Sequence, residues 1–220
     1  MYKLKNEINP NKTRTIKTKI KNAELVEQKH LQIVEAASRL FSEKGYNKTS
    51  LRDIAEESGI NLSYIYKYIS KKDDILYLFY QYITRKINNL IKAAGKKKFK
   101  NPVEELRFTL TVLYNGLNEM NEEALTMYTE SRHLEKDSLL AVLTEESKFV
   151  ASIENLIQKG VSKGYFQTRD SFITSNIIAY LLAFYPLRSW NLGDRYSYDH
   201  YVELMINFIL DALNVKPEYR

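Results

Sequence analysis

The chain has 220 residues, of which 44% are hydrophobic and 27% charged, with 7 Gly, 4 Pro and no Cys. This composition is typical of one or two folded domains, and it excludes a disordered or collagen-like chain, a disulfide framework and a cysteine nucleophile. The Lys-rich N-terminus lacks the apolar segment of a secretory signal, and no run of about 18 apolar residues could span a membrane. We therefore expect a cytoplasmic protein with no membrane partner.

The net charge of +6 is concentrated at the N-terminus. Residues 1–21 contain seven Lys or Arg and one Glu, whereas the rest of the chain carries equal numbers of basic and acidic side chains. Such a segment is typical of an arm that binds a polyanion, either nucleic acid or an anionic membrane surface, although a solvated tail that binds nothing has the same composition. We predict a flexible basic arm over residues 1–22.

Helical periodicity is nearly the only secondary-structure signal, because apolar residues recur three and four positions apart almost throughout. We predict an all-α protein with a first helix that Gly45 ends, short helices at 50–58 and 62–68, and a long helix from Ser70 to Ala94. Further helices are predicted over about 102–118, 122–133, 137–163, 171–190 and 197–213.

Two pairs of residues match the capping box, in which a hydroxyl and a carboxylate three residues later satisfy free amides at a helix start. They are Ser50 with Asp53 and Ser70 with Asp73. Pro186 is expected to bend or break the helix in which it lies, because proline cannot donate the helical hydrogen bond.

The helix, turn and helix at 50–69 form the most informative pattern. Two short helices joined by a tight Gly-containing turn can place the second helix in the DNA major groove, although an ordinary helical hairpin has the same pattern. The residues expected on the inner side are Ile54, Ala55, Ile60, Ile65 and Ile69. Asn, Ser and Tyr side chains can bond base edges or phosphates, and lysine adds charge. The residues left pointing outward are Asn61, Leu62, Ser63, Tyr64 and Lys67.

Five short motifs lie in order around this unit: FSEKGY at 41–46, TSLRDIA at 49–55, SGI at 58–60, YKY at 66–68 and KDDIL at 72–76. Together they resemble the DNA-binding domain of TetR-family transcriptional regulators over roughly residues 28–78. The resemblance implies a homodimeric, all-helical regulator, usually a repressor. Such a regulator binds a palindromic double-stranded operator and releases it when a small-molecule effector enters the C-terminal domain.

This resemblance implies three parts: the arm at 1–22, an N-terminal three-helix helix-turn-helix DNA-binding domain at 23–72, and a larger C-terminal helical ligand-binding and dimerisation domain at 73–220. Matched position by position, it assigns phosphate contacts to Thr49, Ser50, Arg52, Tyr66 and Lys72.

The resemblance assigns contacts with the DNA bases to positions at which the family varies, and in this chain they are Asn61, Leu62, Ser63 and Tyr64. Ser63 stands in place of a frequent glycine and Tyr64 in place of a frequent threonine, so no operator sequence can be borrowed. Ile69 replaces a frequent phenylalanine on the core side.

Some members of such families reach the adjacent minor groove with an N-terminal arm. Residues 1–72 hold 15 basic and 8 acidic side chains, so we predict strongly salt-dependent DNA affinity. The arm residues that could reach the groove are Lys12, Arg14, Lys17, Lys19 and Lys21.

The helix predicted over 171–190 is too apolar to face water on most sides. With the last helix, 197–213, it is expected to form half of a four-helix bundle across a two-fold axis, as the resemblance implies; packing within one chain is the alternative. The candidate interface residues are Leu187, Tyr198, Tyr201, Met205 and Phe208.

No motif identifies a ligand site, but 17 Tyr and 9 Phe suit a mostly apolar ligand with one or two polar groups, and they suit an ordinary core equally. The candidate lining residues are Tyr114, Met127, Tyr128, Phe149, Tyr180 and Phe184. The candidate partners for an acid or phosphate on the ligand are Arg107, Arg132, His133 and Arg188.

Residues 128–133 and 185–190 faintly resemble regulators that sense lipid-derived acyl thioesters. An acyl-CoA-like effector is therefore one candidate, and a lipophilic cation met by Glu119, Glu123 or Glu130 is another.

Catalysis and metal binding have no sequence support, because the three His stand apart and no HExxH, P-loop, GxSxG or GxGxxG pattern is present. We expect no enzyme activity, no metal and no cofactor. The sequence favours a ligand-responsive DNA-binding repressor. A non-specific nucleoid-type DNA binder and a membrane-peripheral helical protein are the alternatives.

Overall fold

The computed structural model describes residues 14–219, which form ten α-helices and no strand. The predicted all-α class is confirmed. The helices are α1 (Ala23–Lys44), α2 (Leu51–Ser58), α3 (Leu62–Tyr68), α4 (Lys72–Ala94), α5 (Pro102–Glu119), α6 (Asn121–Glu130), α7 (Lys136–Ser162), α8 (Ser171–Leu182), α9 (Phe184–Leu192) and α10 (Tyr198–Ala212).

The helices divide between two compact units. Unit 1 contains the residues up to Arg85 together with Glu122–Glu146, and unit 2 contains Lys86–Asn121 together with the residues from Ser147 onward. Helices α4 and α7 therefore contribute residues to both units. The functional boundary between residues 72 and 73 stays a prediction.

Unit 1 packs α1, α2 and α3 around one apolar core. Ile33, Ile54 and Ile65, one from each of these helices, are fully buried. Phe41 of α1 meets Phe79 of α4 edge to face, with ring centroids 6.0 Å apart. The inner side predicted for the helix-turn-helix is thus buried, since Ile54, Ala55, Ile60, Ile65 and Ile69 all lie in this core.

Unit 2 has its own core, built from α5, α7, α8 and α10. Gly160 of α7 lets Phe166 approach the helix, because a Cβ at this position would lie 1.9 Å from the Phe166 ring. The largest groups of buried residues are Val103, Leu106, Leu110 and Leu113 on α5 and Val202, Ile206, Ile209 and Leu210 on α10.

The prediction that Asp73 forms a capping box with Ser70 is wrong, because a different carboxylate accepts from the amides before α4. The backbone amides of Ser70 and Lys71 donate to Asp74 Oδ2, at 2.7 and 3.0 Å. Asp73 instead accepts from the Ser138 hydroxyl at 2.6 Å. Either of the two adjacent carboxylates could accept from these amides. Because Asp73 is bonded to Ser138 in the first turn of α7, Asp74 accepts from them.

The break caused by Pro186 falls three residues before the proline. Helix α8 ends at Leu182, and α9 begins at Phe184. Pro186 has no amide to donate to the carbonyl of Leu182, so the α8 hydrogen-bond series cannot continue, whereas the first turn of α9 needs no donor there.

Within the described residues, no helix is long and apolar enough to cross a membrane. No group of three or more His, Asp or Glu side chains in this part of the chain could hold a metal ion.

Candidate nucleic-acid interface

Helix α2 begins with the capping box that the sequence predicts. The amide of Asp53 donates to Ser50 Oγ at 3.1 Å, and the amide of Ser50 donates to Asp53 Oδ2 at 2.7 Å. The hydrogen bond from the Ser50 backbone and then the Lys44 ammonium, 3.0 Å away, lower the pKa of Asp53 to about 2. The first turn of α2, with exposed Ser50 and Arg52, is therefore firmly fixed.

The turn between α2 and α3 needs glycine. Gly59 has a φ of +66°, in the left-handed region that residues with a Cβ rarely adopt. The chain then reverses with the amide of Ile60 donating to the carbonyl of Ala55 at 3.1 Å. Asn61 caps α3, because its Oδ1 accepts from the amide of Ser63 at 2.9 Å.

Helix α3 has one buried and one exposed face. Ile65 and Tyr68 are buried, whereas Tyr64 and Tyr66 are 52% and 43% exposed. The Lys67 ammonium lies 3.9 Å from the centroid of the Tyr64 ring, a cation–π contact at the surface. The exposed face therefore offers aromatic rings, phenol hydroxyls and a positive charge.

Thr49 does not occupy the phosphate-contact position predicted for it. Its side chain is buried, with 1% exposure, and its hydroxyl donates to the carbonyl of Gly45 at 2.9 Å. This hydroxyl secures the turn between α1 and α2, so the expected phosphate contact of Thr49 is corrected to a structural role.

Lys72 is also turned inward. Its ammonium donates to the carbonyl of Tyr46 and lies 3.9 Å from the centroid of the Tyr46 ring. Burial lowers the pKa of Lys72. Burial, followed by the carboxylates of Asp73, Glu135 and Glu130, raises the pKa of Tyr46 to about 12. In this conformation the Lys72 charge is engaged within unit 1, which does not support its predicted phosphate contact.

Residues 14–21 pack against the other residues of unit 1 and do not extend away from them. Arg14 forms ion pairs with Asp73, at 3.3 Å, and with Asp74, and its guanidinium lies 5.0 Å from the centroid of the Tyr77 ring. Ile16 is buried. Arg14 is therefore not free for the minor groove, whereas Lys12 of the predicted arm lies outside the described residues.

The same segment holds the C-terminal end of α3. The carbonyl of Lys67 accepts from the amide of Lys19 at 2.8 Å and from the Thr18 hydroxyl at 2.9 Å. The carbonyl of Tyr68 accepts from His30 Nε2 at 2.8 Å. Carbonyls at a helix end have no partner within the helix, so these bonds fix the end of α3. Sequence reasoning missed this role; the apolar Ile16 within a basic stretch was the available signal.

The ten predicted ligand residues are divided between the two units, and four of them belong to unit 1. Of these, the carbonyl of Met127 accepts from the Tyr80 hydroxyl. His133 stacks on Tyr46, with ring centroids 5.4 Å apart, and its Nε2 lies 3.3 Å from the Glu130 carboxylate. The other two, Tyr128 and Arg132, are exposed.

The six that belong to unit 2 are also dispersed. Tyr114 is fully buried in the core, and Arg107 donates to Asn207 Oδ1 at 3.1 Å. Tyr180 lines a surface cavity of about 320 Å³ together with Phe172, Ile173, Asn176 and Ile177. One pocket shared by these residues therefore stays a prediction. The remaining members are half-buried Phe149 and Phe184 and exposed Arg188.

Helix α8 presents an apolar face to the surface of unit 2. Ile177 is 54% exposed, and Phe208 of α10 is 58% exposed. Tyr201, predicted for an interface, is instead buried, with its ring 6.0 Å from that of Tyr114. The large exposed apolar residues of α8, α9 and α10 are Phe172, Ile173, Ile177, Tyr180, Trp190, Leu204 and Phe208.

Two family models match the chain. Residues 33–77 match the model for bacterial regulatory proteins of the tetR family, and residues 100–186 match a tetracyclin repressor-like C-terminal domain. Among curated relatives, the HTH-type transcriptional regulator HbdR of Aromatoleum sp. (strain CIB) is 27% identical over 197 residues, covering 86% of this chain and 82% of HbdR.

Solved structures show the same fold. The fatty acid degradation regulator FadR of Bacillus halodurans aligns with a TM-score of 0.73 at 20% identity, covering 86% of this chain and 97% of FadR. AibR, solved with isovaleryl coenzyme A and operator DNA, aligns with a TM-score of 0.70 at 19% identity, covering 81% of this chain and 96% of AibR.

Proposed function

Because the chain belongs to the TetR family of bacterial regulatory proteins, which are DNA-binding transcriptional regulators, we propose that it is a repressor that binds a palindromic operator as a homodimer. Helix α3 would contact the operator, and a small, mostly apolar effector would cause the protein to release the DNA.

One observation carries the DNA-binding part of this proposal. Helix α3 exposes Tyr64 and Tyr66 beside Lys67, while Ile65 and Tyr68 on its other face are buried. A phenol hydroxyl can form a hydrogen bond with a phosphate or a base edge, and the positive charge of Lys67 attracts the phosphate backbone of the DNA. We assign base reading to Asn61, Leu62, Ser63 and Tyr64, and backbone contacts to Ser50, Arg52, Tyr66 and Lys67.

The homodimer is supported by the apolar face of unit 2. Exposed apolar side chains such as Phe172 and Ile177 on α8 and Phe208 on α10 would be costly to leave in water, and a two-fold partner buries the same residues on both copies. A two-fold dimer also matches the symmetry of a palindromic operator.

The effector class is supported by the composition of unit 2 and by what its structural relatives bind. Tyr185 and Tyr198 lie with ring centroids 4.8 Å apart in a core rich in tyrosine, which offers apolar faces with hydroxyl groups. AibR was solved with isovaleryl coenzyme A. We therefore propose an acyl-CoA-like or other lipophilic effector.

Selection of duplexes from a random library tests the proposal, followed by titration of the selected duplex with the protein. We expect one palindromic sequence to be enriched and acyl-CoA esters of graded chain length to release it. Enrichment of no sequence would refute specific binding, and retention of the duplex at saturating acyl-CoA would refute an acyl-CoA effector.

A further inference from the structure

The loop between α4 and α5 forms one wall of a cavity that is strongly positive. The cavity has a volume of about 440 Å³ and lies wholly in unit 2, between residues 95–101, the first turn of α5 and the end of α7. Its lining contains five lysines and one carboxylate, that of Glu105. The lysines are Lys97, Lys98, Lys100, Lys159 and Lys163.

This charge is not balanced locally. Glu105 is bound to Lys159, which leaves four ammonium groups around the depression without a facing carboxylate in the lining. The neighbouring Glu104 accepts from the backbone amide of Lys100 at 2.8 Å, so it is held by the loop backbone. Like charges around a concave surface raise the positive potential inside it and attract anions.

The loop is held in place by bonds at both ends. The amide of Lys97 donates to the carbonyl of Ala94 at 3.1 Å, and Asn101 Oδ1 caps α5 by accepting from the amide of Glu104 at 2.9 Å. The Lys97 ammonium lies 4.2 Å from the centroid of the Phe108 ring. The backbone that carries Lys97, Lys98 and Lys100 is therefore ordered before any ligand binds, which lowers the entropic cost of binding.

Aromatic rings complete the lining. Phe99 rests on Phe108, with ring centroids 5.5 Å apart, and Tyr165 packs against Tyr219 at 4.8 Å. Phe99 and Tyr165 both line the cavity and are only half-buried. Small-molecule sites of proteins have volumes of about 300–1,000 Å³, and this cavity falls in that range.

We propose that this cavity binds a small molecule that carries two or more phosphate charges. Lysines bind phosphate as point charges, and several of them are needed to balance a diphosphate. The site goes beyond the proposed function, since it requires neither the operator nor an acyl chain, and the diphosphate of a coenzyme A ester is one form of the group it would bind. The phosphates could belong to inorganic pyrophosphate or to a nucleotide, whose base the half-buried rings of Phe99 and Tyr165 would contact.

Calorimetric titration of the full chain with ADP, pyrophosphate and adenosine tests this proposal. The double variant Lys98→Gln with Lys163→Gln removes two lining charges, and Arg169→Gln with Arg195→Gln removes two exposed charges of unit 2 outside the lining. Loss of two charge-assisted hydrogen bonds should weaken diphosphate binding at least tenfold in the lysine variant. The arginine variant should bind within twofold of the parent chain.

The probes separate the two sources of phosphate. Tighter binding of ADP than of pyrophosphate supports a nucleotide site, and equal binding supports a site for the phosphates alone. Failure of both to bind, or equal loss in the lysine and arginine variants, would overturn the proposal. The lysine variant should keep its affinity for the selected operator duplex, so failure here is distinct from failure of the proposed function.

Discussion

Arg14 and Asp73 lie far apart in the sequence, yet the guanidinium of Arg14 is 3.3 Å from the carboxylate of Asp73 in the folded chain. Asp74 completes the ion pair on one side, and the Ser138 hydroxyl donates to Asp73 on the other. The basic N-terminal segment, which by composition suggests a DNA-seeking arm, thus also joins the starts of α4 and α7 within unit 1.

Replacement of Arg14 by Gln should destabilise the chain, because it leaves the buried carboxylates of Asp73 and Asp74 without their cation. The free energy of unfolding should fall by about 3 kcal/mol in urea titrations. Lys17→Gln removes the same charge from an exposed neighbour and should change it by less than about 0.5 kcal/mol. Equal effects of the two substitutions would show that the Arg14 ion pairs contribute no net stability.

Tyr64 and Tyr66 should differ in what they do to DNA binding. Tyr66→Phe removes a proposed phosphate contact and should weaken all duplexes alike, whereas Tyr64→Ala should change which duplex is preferred. Fluorescence anisotropy with the selected operator and single-base variants of it measures both. An unchanged ranking of duplexes with Tyr64→Ala would contradict base reading by this residue.

Much of unit 1 follows from short-range signals in the sequence. The Ser50–Asp53 box, the Gly59 turn and the Asn61 cap depend on residues within three positions of each other, so the sequence predicts them correctly. Arg14 could not be placed in this way, since its partners lie far along the chain. The side chains of Thr49 and Lys72 donate hydrogen bonds to the carbonyls of Gly45 and Tyr46, and these bonds set their orientation. The spacing of apolar residues gives no information about such bonds.

The predicted ligand residues divide between the two units, which helical spacing alone does not indicate. Helical spacing indicates which face of a helix is apolar, but not which compact unit that face joins. In the folded chain, Met127 and His133 lie in unit 1, whereas Tyr114 and Phe184 lie in unit 2. The same limit explains Tyr201, which was predicted for an interface and packs in the core of its own chain.

Asp53 should titrate unusually low. The amide of Ser50 and then Lys44 stabilise its carboxylate, so its pKa falls from 3.8 to about 2 in the folded chain. The stabilisation that this carboxylate gives to the start of α2 should be complete above pH 3.8 and be lost only as the pH falls through about 2. NMR titration of the side-chain carboxyl carbon measures this pKa. A midpoint near 4 would mean that the capping box is not formed in solution.

Gly160→Ala should destabilise unit 2, because its Cβ would lie 1.9 Å from the buried ring of Phe166. We expect a loss of about 1–3 kcal/mol in the free energy of unfolding. Gly95→Ala is a matched control, since its Cβ would meet nothing closer than the carbonyl of Ile91 at 3.5 Å. Circular dichroism during urea unfolding compares the two, and a neutral Gly160→Ala would contradict the close approach of Phe166.

Ile177→Glu should convert the proposed homodimer to a monomer, because it places a charge in the apolar face of α8. Val161→Glu changes a residue of α7 that is also exposed, at 40%, and should leave the dimer intact. Sedimentation velocity reports the mass of each species. A parent chain that is already monomeric, or an Ile177→Glu variant that stays dimeric, would contradict this interface.

The most direct test of DNA reading by α3 is the ratio of two dissociation constants. The selected operator duplex and a scrambled duplex of equal length and composition are titrated with the chain at one salt concentration. Our account predicts at least about a thousandfold preference for the operator. Equal affinity for the two duplexes would contradict it.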